Sequence, residues 1–505
     1  MSDSRRSRAL PAIAVALALA GALLATPPSQ AAQADDTDRL TSATSARAVV
    51  ANRALSRASG ALSGNGDDAT IALRDLYMVR DSLSPSDRAA AEKMYDRPVK
   101  TNVVSGGNIS VHYNPLELTG SFDQDDVLNI SLHVSQMYSG SGYRLPKPDF
   151  GKGGSNKTDI YVDKLDPGLY GYCTIDNDTQ SPGPGRYDVP AFCVVDNDYA
   201  GFPSNTPLEN LQVTVAHEYM HATQFAYDFY EDPWLLESTA AWAEDEVYDS
   251  INDNTQYLPT GAIGQPKKPM VKFSFSSYGQ WIFFRYLSEK FPKKKGSMPK
   301  VVLDIWKAAD SSKGSKKNRH STEAIKKVLA KQKFSIDKAF SFFSDANRRS
   351  RQVYDEGAAN AYPVKKLAGK KKLKRRGQSK KFTAKLNPFT SATYRYYPRN
   401  GLGKKFKLKV SISGPAKSKG TRAVVTLWKS NGKAKQKFVK ISGKGKGATK
   451  VAFGGAKVQA VEVTLVNAST RTKRCFYSQS SPWPCYGKPV DKNSKISVRG
   501  LVTKG

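Results

Sequence analysis

The chain has 505 residues, of which 39% are apolar and 10% aromatic. This length is too great for one ordinary core, so two or three domains are expected. The net charge of +33 is unevenly distributed. Residues 361–505 hold 37 Lys and Arg against two acids, whereas residues 1–360 hold 41 against 43. The break predicts a domain boundary near residue 360 and a basic C-terminal module that attracts polyanions.

The N-terminus has the pattern of a secretory signal peptide over residues 1–34. Three arginines precede an apolar run, and Ala32-Gln33-Ala34 offers a cleavage site. The apolar run is too short for the alternative, an uncleaved membrane anchor. We therefore expect a secreted or cell-envelope-associated bacterial protein whose mature chain has no transmembrane segment.

Four cysteines suit an oxidising compartment. Pairing within each region, Cys173 with Cys193 and Cys475 with Cys485, is the simplest of the three connectivities. No C-x-x-C motif is present, which argues against cysteine-ligated zinc.

The expected architecture is α+β, with a helical N-terminal region before a central domain of mixed strands and helices and a β-sandwich after it. Residues 35–102 read as helices that form either a propeptide or an N-terminal cap. In the central domain, residues 103–355, we expect strands at 108–113, 159–162 and 191–195 and helices at 123–139, from 208, and at 277–291, 298–308, 321–329 and 334–348. Residues 356–382 resemble a basic linker. Residues 383–505 alternate with period two, as in a Lys-rich antiparallel β-sandwich.

Two similar phrases, C-T-I-D-N-D and C-V-V-D-N-D, contain paired aspartates. Asp176, Asp178, Asp196 and Asp198 could bind calcium through their carboxylate oxygens. The alternative is that these residues form Asx turns after strands.

The strongest chemical pattern is H-E-x-x-H at His217, Glu218 and His221. On a helix, residues four apart lie on one face about 6 Å apart, so both imidazoles can bind one zinc ion. Glu218 lies beside the metal, where it can take a proton from metal-bound water and pass it to a leaving amine. This set predicts a zinc hydrolase.

The predicted zinc site needs a third protein ligand, and the other histidines do not form a His-type extension of the motif. Pro233 breaks the chain after the first helix, and Glu237 lies in the first turn of a second helix that can fold back. We expect Glu237 to be the third ligand, with Glu244 as the alternative. Glu244 could otherwise accept a hydrogen bond from the second ring nitrogen of a zinc-bound histidine.

The phrases H-E-Y-M-H and W-L-L-E-S-T-A together resemble the gluzincin metallopeptidases, whose aminopeptidase branch has W-L-N-E-G-F-A at the second phrase. Over roughly residues 70–350 the chain resembles a family of secreted bacterial metalloproteases. The resemblance implies a zincin-like fold in which His217, His221 and Glu237 bind zinc and Glu218 is the base. It also implies a protein or peptide substrate.

The chain departs from the aminopeptidases because it lacks G-x-M-E-N, the motif that grips a free amine. A secreted zinc endopeptidase is therefore the leading prediction. No dedicated transition-state stabiliser is identifiable. Tyr278 is the first candidate because it begins a later core helix, and the alternative is a purely structural tyrosine.

Two other functions are kept as alternatives. One is a cell-surface protein that binds an anionic envelope polymer through its basic module and has a structural or vestigial metal site. The other is a zinc hydrolase of a non-peptide envelope polymer. Nucleic-acid binding is the rival suggested by charge, but the signal peptide argues against it.

Overall fold

The computed structural model describes residues 30–66, 68–119, 121–179, 187–312, 318–476 and 481–505. The chain divides into two units, residues 1–47 and 48–505. The described residues of the first unit belong to one helix. Residues 1–29, which make up most of the predicted signal peptide, lie outside the described residues.

The helices occupy the first three quarters of the chain. Within the described residues there are eleven α-helices: α1 (Gln30–Leu62), α2 (Ala69–Val79), α3 (Pro85–Lys93), α4 (Gln124–Gly140), α5 (Pro207–Phe225), α6 (Pro233–Val247), α7 (Trp281–Lys290), α8 (Lys300–Ala309), α9 (Ser321–Lys331), α10 (Ile336–Ala346) and α11 (Ser350–Val353).

The strands form one sheet before the site helices and two sheets near the C-terminus. The described part of the chain contains eighteen strands: β1 (Asn102–Gly106), β2 (Ile109–Tyr113), β3 (Thr158–Asp163), β4 (Gly171–Thr174), β5 (Phe192–Asp196), β6 (Lys294–Lys295), β7 (Met298–Pro299), β8 (Gly369–Leu373), β9 (Ser379–Leu386), β10 (Thr390–Pro398), β11 (Phe406–Ser413), β12 (Thr421–Lys429), β13 (Ala434–Phe438), β14 (Lys446–Ala452), β15 (Val458–Asn467), β16 (Thr472–Lys473), β17 (Lys488–Pro489) and β18 (Ser494–Lys504).

The first sheet has the strand order β1-β2-β3-β5-β4. Strands β2, β3 and β5 are parallel, and the edge strands β1 and β4 are antiparallel to their neighbours. The three parallel strands are almost entirely buried, as expected when both faces of a sheet are covered. The predicted disulfide between Cys173 and Cys193 is present and joins β4 to β5.

The site helices α5 and α6 start at clear sequence signals. In α5, Thr206 and Glu209 form a capping box, and Pro207 occupies the first position. Pro233 likewise occupies the first turn of α6. Ala240 and Ala241 of α6 are fully buried, and their small side chains allow α6 to pack closely against its neighbours. Both helices therefore hold their side chains in a tightly packed interior.

Helix α2 belongs to the same hydrophobic core as the site helices. Asp68 caps its N-terminus by accepting a hydrogen bond from the backbone N–H of Ile71 at 2.7 Å. Leu73 and Leu76 are fully buried, and Tyr95 donates a hydrogen bond to the Leu73 carbonyl at 2.8 Å. A short helix that is apolar on nearly every side is stable only inside a protein. The N-terminal region therefore contributes to the core around the site.

The C-terminal strands form two sheets around a second hydrophobic core. One sheet has the order β13-β12-β15-β10-β8, and the other has the order β14-β11-β18-β9. The predicted α+β class and β-rich C-terminal region are confirmed. The stretch 356–382, expected to be a linker, also contains strand β8, which pairs in parallel with β10. Leu373 anchors this strand because its side chain is fully buried.

A buried polar cluster joins α10 to the five-stranded C-terminal sheet, which contains β12 and β15. Asp345 of α10 accepts hydrogen bonds from Thr426 at 2.9 Å and Thr464 at 3.1 Å. Lys365 is fully buried and donates to the Ser391 hydroxyl at 2.7 Å. Buried polar groups with satisfied hydrogen bonds fix one arrangement of the packed elements. This face of the five-stranded sheet is therefore covered by the helical part of the chain.

A C-terminal loop also reaches back to the first helices. The backbone N–H of Cys485 donates to Asp232 at 2.6 Å. Arg74 of α2 donates to the Tyr486 hydroxyl and, at 2.9 Å, to the Glu231 carbonyl. The second predicted disulfide, Cys475 with Cys485, closes this loop. The loop thus packs directly against α2 and the segment before α6.

Among the described residues, no helix is both long and apolar enough to cross a bilayer.

Candidate metal and catalytic site

Three predicted ligands converge at the junction of α5 and α6. His217 and His221 lie one turn apart on α5, and their ring centroids are 4.8 Å apart. Glu237 of α6 lies opposite them, with one oxygen 3.4 Å from His217 Nε2 and the other 3.4 Å from His221 Nε2. The three ligand atoms lie within 4.8 Å of one another. The structure therefore brings the predicted set together.

The donor atoms of this set fit a bound metal ion. His221 Nε2 and both Glu237 oxygens are buried and have no hydrogen-bond partner. Leaving such groups unpaired is costly unless a cation compensates them. Zinc bonds of about 2.0–2.1 Å in a tetrahedron place neighbouring ligand atoms about 3.3–3.4 Å apart. The observed nitrogen–oxygen distances of 3.4 Å match that spacing.

The second ring nitrogen of each histidine has its own partner. His217 Nδ1 lies 2.5 Å from Glu244 Oε1, and His221 Nδ1 lies 2.8 Å from Gln224 Oε1. Gln224 is oriented in turn by its donation to the Leu236 carbonyl at 3.0 Å. These contacts turn both Nε2 atoms towards Glu237 and favour the ligating tautomer. Glu244 therefore lies where the outer hydrogen-bond role was predicted, and Gln224 has the same role on the other histidine.

The predicted base, Glu218, lies beside the ligands in a buried position with an exposure of 7%. The Thr70 hydroxyl of α2 donates to Glu218 Oε2 at 3.2 Å and accepts the backbone N–H of Cys173 at 2.9 Å. Burial raises the pKa of Glu218 to about 7, although His217 opposes the shift. A carboxyl with that pKa can both accept and return a proton near neutral pH.

Edge strand β4 approaches Glu218 closely at Gly171. A Cβ atom at Gly171 would lie 2.8 Å from the Val194 carbonyl oxygen, 2.9 Å from Thr214 and 3.4 Å from Glu218 Cγ. Only a glycine fits there without displacing these groups. The sheet edge and the base are therefore in direct contact.

Tyr278 lies on the other side of the ligands from α5. Its ring stacks on His217 with centroids 5.7 Å apart, and its hydroxyl donates to Asp68. Burial raises the pKa of the Tyr278 hydroxyl well above its ordinary value, and the Asp68 carboxylate adds to the shift. The group therefore keeps its proton and can act as a hydrogen-bond donor at the site.

A cavity of about 290 Å³ is lined by seven of these residues: Asp68, Thr70, Gly171, His217, Glu218, Glu244 and Tyr278. Its wall includes several carboxyl groups but no lysine or arginine among the described residues. A pocket with several carboxyl groups and neither lysine nor arginine favours a cation. Its volume is close to the lower limit typical of ligand pockets.

Two further groups of metal-type side chains occur in the described ranges, and neither is free to bind a metal ion. Asp245, Asp249 and Glu356 are grouped around Arg285, which lies 3.5 Å from Asp249 and 3.4 Å from Glu356. The other group contains His320 and the two cysteines of the second disulfide. The other histidines also lie elsewhere, for example His112, which lies 2.8 Å from Asp159.

The first predicted calcium phrase makes ion pairs within the protein. Asp176 accepts from Arg97 at 2.6 Å, and Asp178 pairs with Lys152. Arg97 and Lys152 therefore already neutralise part of the negative charge that would bind a calcium ion.

The second calcium phrase makes local turns. Asp196 accepts the backbone N–H of Tyr199 at 2.7 Å, and Asp198 accepts that of Ala200 at 2.8 Å. These are the Asx-type contacts given as the alternative. Calcium at these four aspartates stays a prediction.

Sequence reasoning missed three residues of the site. Gln224 could have been found, because it follows His221 by three residues on the same helix face. Thr70 and Asp68 come from a region separated from the motif by about 150 residues, as the separation of 148 between Thr70 and Glu218 shows. The only local signal there was an aspartate before a helical stretch, which predicts a cap and not a site residue.

No protein-family model and no curated protein matches this chain. Among solved structures, a family GH115 4-O-methyl-α-glucuronidase with specificity for decorated arabinogalactans matches with a TM-score of 0.14 and 8% identity. The match covers 72% of this chain and 54% of that enzyme, so the chain spans about half of its length. A TM-score this low carries no argument about fold or activity.

Proposed function

We propose that this chain is a secreted zinc-dependent endopeptidase of the gluzincin type, with His217, His221 and Glu237 as ligands and Glu218 as base. The observation that carries the proposal is the arrangement of the buried ligand atoms. The Glu237 oxygens lie 3.4 Å from the Nε2 atoms of His217 and His221, and the buried carboxyl group of Glu218 lies beside them. The two Glu237 oxygens face the Nε2 atoms of His217 and His221, so one bound metal ion would satisfy all three side chains. Zinc suits two imidazoles and one carboxylate.

Zinc bound there would supply a Lewis acid that lowers the pKa of water to about 7 and polarises a carbonyl group. Glu218 takes one proton from the attacking water as the water oxygen bonds to the carbonyl carbon. It then gives that proton to the nitrogen as the C–N bond breaks. Thr70 holds one Glu218 oxygen through its hydroxyl, which leaves the other oxygen for proton transfer.

Tyr278 can assist at the carbonyl oxygen. Its hydroxyl donates to Asp68 in the structure, and a bound substrate would take over that hydrogen bond as negative charge develops. Gly171 and its strand β4 lie at the sheet edge beside Glu218, where an extended peptide can add as a further strand. The absence of G-x-M-E-N leaves no known grip for a free amine, which favours internal cleavage.

A zincin-like domain over residues 103–355 is part of this proposal. It is supported by a helix with the H-E-x-x-H motif that packs beside a sheet with an antiparallel edge strand, β4. Secretion is supported by the signal-like residues 1–34 and by two disulfides.

The decisive variant is Glu218→Gln. It should keep zinc bound, because the three ligands are unchanged, and it should lower the cleavage rate of a peptide library by at least about 1,000-fold. Metal content by mass spectrometry and fragment release are measured on the same preparation. A Glu323→Gln variant is the control, since Glu323 lies on α9 with an exposed side chain. A fully active Glu218→Gln protein would refute the proposal.

A second candidate is a cell-surface protein that binds an anionic envelope polymer and uses the metal site structurally. The observation that favours it is the charge of residues 361–505, with 37 basic residues and two acids. Polymer binding with no hydrolysis of any substrate would support it. Release of fragments from an envelope polymer, but not from peptides, would instead support a zinc hydrolase of that polymer.

A further inference from the structure

One face of the four-stranded C-terminal sheet is densely basic. In the order β14-β11-β18-β9, alternate residues of each strand point away from the core. We define the basic face by six exposed side chains on this outer surface: Lys381, Lys385, Lys409, Lys450, Lys495 and Arg499.

The six side chains form three pairs of like charge directly opposite each other. Lys385 pairs with Lys495, and Lys381 with Arg499, in the register of β9 and β18. Lys409 faces Lys450 in the register of β11 and β14. Like charges directly opposite on one sheet face are destabilising. Three such pairs therefore lower the stability of the sheet, and packing within the protein does not account for them.

The fold provides no acid to relieve this repulsion. Residues 361–505 contain only Glu462 and Asp491, and both are buried. Glu462 pairs with Arg395 at 2.5 Å, and Asp491 with Arg471 at 3.1 Å. Within the described ranges, none of the six basic-face side chains contacts a carboxylate. The missing countercharge must come from outside the chain.

The basic face is also the free face of this part of the molecule. The five-stranded sheet is covered by α10 through Asp345, whereas the four-stranded sheet directs its charged side chains to solvent. Between the cations lie small residues, such as Thr383, Ser411 and Ser497. Aromatic side chains are absent from the outward positions of these described strands. The face therefore offers charge and hydroxyl groups without any surface for stacking.

We propose that the basic face binds a linear polymer of phosphodiester-linked polyols, the chemistry of an anionic cell-envelope polymer. Strands lie about 4.8 Å apart and alternate residues about 6.7 Å apart, so the cations form a grid that successive phosphates can follow. Lysine binds phosphate as a point charge and tolerates a flexible chain. Single-stranded nucleic acids instead need aromatic platforms for their bases, and this face has none.

The inference does not depend on the proposed peptidase activity. It is tested on the full chain carrying Glu218→Gln, so that hydrolysis cannot interfere. The probe is poly(glycerol phosphate), with single-stranded DNA of equal charge and neutral dextran as the comparison polymers. The face variant is Lys381→Gln, Lys385→Gln and Lys450→Gln together, which removes one charge from each pair. The control variant is Lys371→Gln, Lys435→Gln and Lys437→Gln, three exposed lysines on β8 and β13.

The face variant should bind poly(glycerol phosphate) at least about 10-fold more weakly at 0.1 M salt. Its slope of log K against log salt should fall by about 2, since each lost contact contributes about 0.7. The control variant should stay within about twofold of the parent protein. Equal losses in both variants would overturn the assignment to this face. No binding by the parent protein, or tighter binding to DNA, would overturn the proposed ligand.

Thermal unfolding separates lost contacts from lost structure. Without polymer, the face variant should melt at the same temperature as the parent or higher, because like-charge repulsion is relieved. Polymer should raise the melting temperature of the parent and the control variant, and it should raise that of the face variant by less at the same polymer concentration. If the triple variant fails to fold, the single changes Lys385→Gln and Lys450→Gln must each weaken binding, and unchanged binding in both would refute the proposal.

Discussion

Two buried glutamates, one in each half of the molecule, are treated in opposite ways. Glu462, in the C-terminal sheets, has Arg395 at 2.5 Å and Arg348 at 3.0 Å. Glu237, in the helical half, is equally buried, yet neither of its oxygens has a hydrogen-bond partner. The chain thus supplies two arginines for the first carboxylate, whereas the second faces only two histidine nitrogens at 3.4 Å. The difference separates a charge that stabilises the fold from a charge prepared for an external ion.

The two regions also differ in the charges on their surfaces. Among residues 361–505 both acids are buried, so the exposed side-chain charge there is entirely basic. In the helical region the cavity wall has carboxyl groups and no described lysine or arginine. The C-terminal surface therefore lacks negative side chains and the cavity wall lacks lysine and arginine, and each lack implies a different external partner.

The largest effect on stability is expected from Glu462→Gln. Removing the carboxylate leaves two partly buried arginines, Arg348 and Arg395, without their acidic partner, which should lower the free energy of unfolding by about 3–5 kcal/mol. Denaturant titration measures the change, and zinc affinity should be unaltered. A change below about 1 kcal/mol would show that Glu462 is not needed for the packing of this region.

Glu237→Gln should have the opposite profile. We expect zinc affinity to fall by more than about 100-fold, a loss larger than the 10–100-fold typical of groups that only orient a ligand. The metal-free variant should be at least as stable as the metal-free parent, because glutamine keeps the shape of the side chain and removes a carboxyl group whose pKa is raised by burial. Competition with a chelator gives the affinity, and melting in the presence of chelator gives the stability. Unchanged zinc binding would rule out Glu237 as a ligand.

Glu244→Gln should weaken zinc binding by about 10–100-fold, since the amide orients His217 less effectively than the carboxylate. The same titration with a competing chelator measures the loss. The comparison variant is Glu246→Gln, two residues later on the same helix. An equal loss in both variants would mean that helix stability, rather than the bond to His217, controls affinity.

The smallest of these effects is expected from Thr70→Val. The variant keeps the shape of the side chain but loses its bond to Glu218, so kcat should fall by about 10-fold with zinc content unchanged. Thr70→Ser should restore most of kcat because it retains the hydroxyl. Steady-state kinetics on one peptide would check both variants. Equal rates in the serine and valine variants would contradict a positioning role.

The sequence predicted those features whose signals lie within a few residues of each other. The pairing of His217 with His221, the helix that follows Pro233 and the alternating strands all depend on short periodic patterns. The disulfide pairings followed from proximity along the chain and agree with the structure. The break at Pro233 predicted that a second helix folds back on the first, and this placed Glu237 near the two histidines.

Features that depend on distant packing could not be predicted. Thr70 reaches Glu218 only because α2 lies in the central core, and no pattern near residue 70 specifies that neighbour. Strand β8 lies in a lysine-rich stretch in which Leu373 is buried. It forms a strand by pairing with β10, and the local sequence does not indicate that pairing. The basic face likewise depends on strand register, which charge counts along the chain do not contain.

The hydrogen bond between Arg74 and Tyr486 spans 412 positions of the chain. The helix that carries Arg74 is therefore synthesised 412 residues before Tyr486. Contacts between residues so far apart in sequence are slow to form. The cavity wall formed by Asp68 and Thr70 would then be completed only after Tyr486 has left the ribosome. Loss of the C-terminal loop should therefore alter the cavity, which is far from the loop in sequence but adjacent to it in space.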